Sequence, residues 1–142
     1  MTTETTDHEI GDIDPALAER YREHVRQRGY HFTIFEWLAE MDPEFESTRL
    51  SMVEATYLRK NTALEPKYRE LIVSAVLAFR GYPSVGKHLH RAMIEGASLR
   101  EVLETLEMAS VPGGMPVLHF GLEHLAEARK KDPETFEKAR NR

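Results

Sequence analysis

Residues 66–98 read PKYRELIVSAVLAFRGYPSVGKHLHRAMIEGAS, and the reading of this stretch decides the fold. Pro66 carries the fixed φ that suits a first helical position. Lys67, Arg69 and Glu70 give the helix a charged start, and Leu71 to Phe79 follows as a nearly unbroken apolar run. Gly81-Tyr82-Pro83 cannot continue a helix, so the run stops there. A second helical pattern opens near Ser84, carries His88 and His90, and closes at Gly96. A helix that is apolar nearly all round is buried on most sides. A small domain has difficulty enclosing such a helix with its own chain, so a homo-oligomer is expected.

Outward from this pair the chain keeps the same grammar. Asp14-Pro15 reads as N-cap and N1 of a helix toward Gln27 that closes at Gly29. Phe32, Phe35, Trp37 and Leu38 read as a short apolar helix ending at Asp42-Pro43, and Phe45 to about Lys60 reads as another. The aromatics Tyr30, Phe32, Phe35 and Trp37 are expected in the core or an interface. Ser98-Leu99-Arg100-Glu101 is a capping box for a helix to about Met108. Pro112-Gly113-Gly114 reads as a firm break, Met115 to Lys131 as helical, and Asp132-Pro133-Glu134 as the start of a last short helix. No hairpin dipeptide or sustained alternation argues for strands. The expectation is an all-α chain of about seven helices. Residues 1–12, with Glu4, Asp7, Glu9 and Asp12 and no Lys or Arg, read as a disordered acidic lead, and 13–142 as one helical domain.

Composition removes several function classes. The 142 residues include no cysteine, which excludes disulfides, thiolate metal sites and thiol chemistry. A net charge of −5 without a dominant basic face argues against nucleic acid as a partner. The stretch from Arg129 reads as a solvated basic helix end. No apolar run approaches a membrane span. The first residues lack the basic and apolar regions of a signal peptide, so a cytoplasmic location is expected.

The residues that bear chemistry cluster around the same helix pair. His88 and His90 stand about 200° apart around a helix, so they face different sides. One reading makes one of them buried and hydrogen-bonded and the other solvated; a second makes one an acid or base. Glu70 is either a carboxylate placed favourably near a helix start, paired with Lys67 or Arg69, or a partly desolvated group with a raised pKa that moves protons. Arg80, Tyr82 and Lys87 are candidate holders of a substrate anion, though Arg80 is equally suited to capping its own helix. His119 and Glu123, four apart, read as a surface pair in preference to a metal site. No phosphate loop, nucleophile elbow or dinucleotide fingerprint is present.

The order of these features resembles the carboxymuconolactone decarboxylase-like family, which includes the alkylhydroperoxidase D proteins. Lys67-Tyr68-Arg69-Glu70-Leu71-Ile72 comes first, then the apolar helix. His88, Ala92, Gly96-Ala97-Ser98, Glu101-Val102 and Gly113-Gly114-Met115-Pro116 follow in order. The resemblance implies an all-α fold in trimers or hexamers, with Glu70 and His88 in the site and His90 as a neighbour. It also shows a departure. Peroxidase members place a Cys-x-x-Cys pair ahead of the histidine, where this chain reads Gly81-Tyr82-Pro83-Ser84-Val85-Gly86-Lys87. Thiolate attack on peroxide is therefore chemically excluded. What the resemblance leaves is a cofactor-free decarboxylase, or related lyase or isomerase, for a small carboxylated lactone or keto acid. His88 would be the acid, Glu70 its partner, and Arg80, Lys87 or His90 the holder of the substrate carboxylate. The alternatives are a non-catalytic oligomeric binding or scaffold protein, and a metal-dependent enzyme using His88 or His90 with Glu70 and perhaps His119.

Overall fold

The computed structural model describes residues 4–5 and 10–142. The rest of the acidic lead lies outside the described residues. The chain forms two compact units, Met1–Asn61 and Thr62–Arg142.

The first unit holds β1 (Glu4–Thr5), α1 (Pro15–Arg28), β2 (His31–Phe32), α2 (Ile34–Met41) and α3 (Pro43–Glu54). The strands are two residues each and antiparallel, with Thr5 opposite His31. The Asp14 carboxylate caps α1 by accepting from the Ala16 and Leu17 amides, and Gly29 ends it at φ 83°. Asp42 caps α3 through the Phe45 amide. The helix stops at Glu54, short of the expected Lys60. The Thr56 and Tyr57 amides both turn back to the Val53 carbonyl, which closes the last turn early.

Apolar core in this unit is sparse: Leu17, Tyr21, Ala39 and Leu50, with Ile10, Ile13 and Phe35 against them. Much of the remaining interior is polar. The Tyr21 hydroxyl donates to Glu46 Oε1 at 2.6 Å, with the Phe35 carbonyl at 2.8 Å as the other acceptor. Arg49 donates to both Glu46 oxygens and lies 3.4 Å from the centre of the Phe35 ring. The short apolar helix expected here forms as α2, with part of its apolar surface turned outward. Glu36 and Ala39 are buried while Ile34, Trp37 and Met41 are exposed. Of the aromatics expected in the core or an interface, Tyr30 is buried, Phe32 and Phe35 are half-buried, and Trp37 is 59% exposed.

The second unit holds α4 (Pro66–Phe79), α5 (Val85–Ile94), α6 (Leu99–Gly113), α7 (Met115–Lys131) and α8 (Pro133–Arg140). The described residues thus carry eight helices and almost no strand, the all-α fold expected from the sequence. Two αL glycines set the corners. At the end of α4, Gly81 (φ 63°) lets the Tyr82 amide reach the Leu77 carbonyl and the Gly81 amide reach Ala78. At the end of α5, Gly96 (φ 104°) repeats the pattern with Ala97 to Ala92 and Gly96 to Met93. Both are Schellman closures, which satisfy carbonyls that a helix end would strand. Ser98 and Glu101 form the capping box in both directions, and the Glu101 carboxylate also takes the Lys67 ammonium at 2.8 Å.

α6 does not break at Pro112 but runs through it to Gly113. The proline φ suits a helix, and one lost amide bond in a last turn is tolerable. The stop falls at Gly114, with φ 81° and its amide on Ser110.

α5, α6 and α7 are crowded together at glycines. A Cβ at Gly121 would sit 2.5 Å from Leu106 Cδ2, and one at Gly86 would sit 3.0 Å from the His124 carbonyl. The core around these crossings includes Leu71, Leu89, Met93, Val102, Leu106 and Leu125.

The apolar run of α4 is not enclosed by the rest of the second unit. Leu71, Ser74 and Ala78 are buried, but Tyr68, Ile72, Val76 and Phe79 are between 41% and 56% exposed. Their spacing of four, four and three places them in one stripe along the helix.

Candidate active site

α4 and α5 pack as an αα-hairpin, and the hairpin brings two titratable side chains together inside the second unit. Glu70 lies in the second turn of α4, on the inward side with Leu71 and Ser74. His88 lies in α5 beside the buried Val85, Leu89 and Ala92. His88 Nδ1 and Glu70 Oε2 are 2.7 Å apart, and the residues are 5% and 6% exposed. Ser74 donates its hydroxyl to the Glu70 carbonyl at 2.7 Å, which ties it into the same turn.

The pairing has a chemical consequence. A carboxylate that accepts from Nδ1–H fixes the ring and its tautomer, so the proton that imidazole gains or loses is the one on Nε2. The carboxylate also stabilises the imidazolium that results. Burial in low dielectric strengthens this coupling and makes an unpaired partner costly.

The other residues singled out in the sequence go elsewhere. His90 does not join the pair. Its Nε2 meets Asp132 Oδ2 at 2.9 Å, at the junction of α7 and α8. Asp132 also takes the Thr135 hydroxyl and amide, and the three bonds, Thr135 first, hold its carboxyl well below the usual range. Arg80 is the C-cap residue of α4 and is exposed, as is Tyr82 in the turn that follows. Lys87 is half-buried on α5. Burial, with Lys131 and Arg91 adding like charge, pushes its amine down to about 8. Lys67 pairs with Glu101, not with Glu70.

His119 and Glu123 meet at 2.9 Å on the exposed face of α7. Among the described residues no three His, Asp or Glu side chains converge as a metal site. An open, mainly apolar groove runs along α7 past Met115, Leu118, Leu122 and Ala126, and neither Glu70 nor His88 lines it.

A second buried His–Glu pair lies in the first unit and went unseen in the sequence. His31 Nε2 and Glu36 Oε1 are 2.7 Å apart, and both residues are buried. Nearby on α1, Arg20 forms a fork on Glu54 at 2.9 Å, and His24 reaches the same carboxylate at 3.4 Å. No motif spacing marks these residues; the only signal was an excess of polar side chains in a segment with few apolar ones.

The fold and the site together define a small, cysteine-free, all-helical protein with a buried carboxylate–imidazole pair on an αα-hairpin. The chain belongs to the carboxymuconolactone decarboxylase family, whose sequence model matches residues 43–128. The fold is also similar to the crystal structure of a provisionally assigned carboxymuconolactone decarboxylase from Burkholderia xenovorans LB400. That likeness has a TM-score of 0.65 and 23% identity, over 89% of this chain and 98% of the other. No curated protein matches the chain. No helix among the described residues is long and apolar enough to cross a membrane.

Proposed function

We propose that the protein is a cytoplasmic, cofactor-free lyase that removes CO2 from a small carboxylated lactone or keto acid by acid–base chemistry. The observation that carries this reading is the buried 2.7 Å contact between Glu70 and His88. In the reaction the bond to the carboxylate carbon breaks. Its electron pair passes into the adjacent carbonyl or lactone, giving an enolate, and CO2 leaves. His88, protonated from solvent, delivers the proton from Nε2 to the enolate carbon. Glu70 orients the ring and stabilises its charged form. The substrate's own carbonyl takes up the electron pair. The direct test is a panel of small lactone and keto acids followed for CO2 release. Turnover that is absent from the whole panel would remove the assignment.

We assign the substrate carboxylate to Lys87, and its half-buried position on α5 among the like charges of Lys131 and Arg91 supports this. Its amine, pushed down to about 8, is a cation below that pH and loses its charge above it. KM for the carboxylate substrate is therefore expected to rise as the pH passes about 8. Lys87→Met should have a raised KM that no longer changes there. A wild-type KM that is flat from neutral to alkaline pH would remove Lys87 from this role.

We infer a homo-oligomer as the working form, trimeric or hexameric as the family resemblance implies. The exposed stripe Tyr68, Ile72, Val76 and Phe79 supports it, since exposed apolar patches of this kind mark association surfaces. Val76→Glu is expected to lower the mass seen by light scattering to that of a monomer without loss of helicity. An unchanged mass would place the association surface elsewhere.

One observation favours a second reading, a binding or scaffold protein that keeps the fold without the chemistry. Glu70 and His88 are both nearly closed off, and the open groove along α7 is lined by neither. A proton titration of His88 that follows substrate-like carboxylates would favour the enzyme. A His88 that titrates identically with and without them would favour the scaffold.

A further inference from the structure

We propose that the His31–Glu36 pair in the first unit is an acid-operated latch, which fastens the chain around Gly11 at neutral pH and releases it on acidification. Glu36 divides its carboxylate between two partners. Oε1 faces His31 Nε2 at 2.7 Å, and Oε2 accepts from the Gly11 amide at 2.8 Å. The approach at Gly11 is close: a Cβ there would lie 3.0 Å from Glu36 Oε2, so a residue without a side chain suits the position. On either side, Ile10 and Ile13 pack against Leu17, Tyr21, Ala39 and Leu50. The fastened segment therefore covers part of the sparse core of this unit.

The state of the histidine controls the fastening. Its ring is stacked on Tyr21, with centroids 4.5 Å apart and planes at 17°. Nδ1 is buried and has no hydrogen-bond partner among the described residues. When the neutral ring donates Nε2–H to Glu36, Nδ1 carries only a lone pair, which is the milder loss. Protonation turns Nδ1 into a charged N–H donor with nothing to receive it, and a buried donor of that kind is strongly disfavoured. Opening the segment lets water reach the ring and removes the conflict.

The groups facing His31 do not all push one way. Glu36 on α2 and Glu46 on α3 favour the cation, while Arg49 on α3 opposes it. The Tyr21 ring face on α1 also favours a cation. The residue opposite His31 on β1 is Thr5, which does not titrate. Burial outweighs the attractions and holds His31 below the ordinary histidine value of 6.5. The opened form thus takes up a proton more readily than the fastened one. The fastened form keeps its full stability above pH 6.5 and loses it as the pH falls below, until the depressed value is reached. One proton taken up on opening limits the slope to about tenfold per pH unit.

His24 is the internal control, since it too is buried and held below its ordinary value, but its partner is Glu54. The experiment is amide exchange of Gly11 in the full chain by NMR, from about pH 7.5 to 5, corrected for intrinsic exchange. Protection of Gly11 is expected to fall by up to about tenfold per unit below pH 6.5 in the wild type and in His24→Gln. His31→Gln, which offers a donor that cannot gain a proton, should show a flat profile. A flat wild type, an unchanged fall in His31→Gln, or a flat His24→Gln would each overturn the latch. A readout that needs no variant accompanies it. The His31 ring protons and the Gly11 amide should titrate with one midpoint below 6.5, and two separate midpoints would refute the coupling.

Discussion

Replacing His88 with Asn is expected to lower turnover by roughly 10²–10⁴-fold, the range a positioned acid supplies. Asparagine is the informative choice because the 2.7 Å contact with Glu70 is made by Nδ1, whose place its amide nitrogen takes. Its amide N–H can still donate to the buried carboxylate, so the interior keeps its hydrogen bond. What it cannot do is carry a proton to carbon. KM should change little, since in the proposed reaction the imidazole acts in the transition state and Lys87 holds the carboxylate. Circular dichroism and thermal melting should stay near those of the wild type. Near-normal turnover in this variant would make His88 a packing residue and leave the acid unassigned.

The largest expected stability effect comes from removing one member of the same pair. His88→Ala should cost about 3–5 kcal/mol, because it leaves the Glu70 carboxylate buried with its ring partner gone. Replacing both members, as Glu70→Met with His88→Leu, should recover most of that loss, because well-packed apolar side chains often match or exceed a buried ion pair. Urea unfolding of the three proteins measures both effects. The double variant should be stable and inactive. A double variant as unstable as His88→Ala would mean that the pair is there to hold the fold, which would favour the scaffold reading over the lyase.

Local chemistry carried most of what could be read from the residues. Pro66, Gly81, Gly96 and the Ser98–Glu101 box each act within one helical turn, and each lies where the sequence puts it. The rule that separated His88 from His90 is equally local, and the two residues do have different partners. Pro112 misled because its usual meaning, a stop, depends on its distance from the helix end; one residue before the last helical position it costs one hydrogen bond. The partner of Glu70 was out of reach of spacing rules, since helix periodicity does not say which residue of α5 faces which residue of α4. The family resemblance supplied that link. The first unit was the least legible part. The inward turn of Glu36 and the burial of His31 follow from how α1, α2 and α3 pack, and no neighbour in sequence records it.

The hairpin that carries Glu70 and His88 separates them by only 18 residues. The entropy of closing a chain segment grows with the logarithm of its length, so doubling that separation costs only about 0.6 kcal/mol. The cost is small beside the coupling of a buried pair. Gly81, Tyr82 and Pro83 are exposed at the tip of the hairpin. Extra residues inserted after Tyr82, past the closure that ends α4, would lengthen the tether and leave that helix end intact. The turn is thus the place to graft a loop, a label or a binding peptide onto this scaffold while the two side chains stay in register.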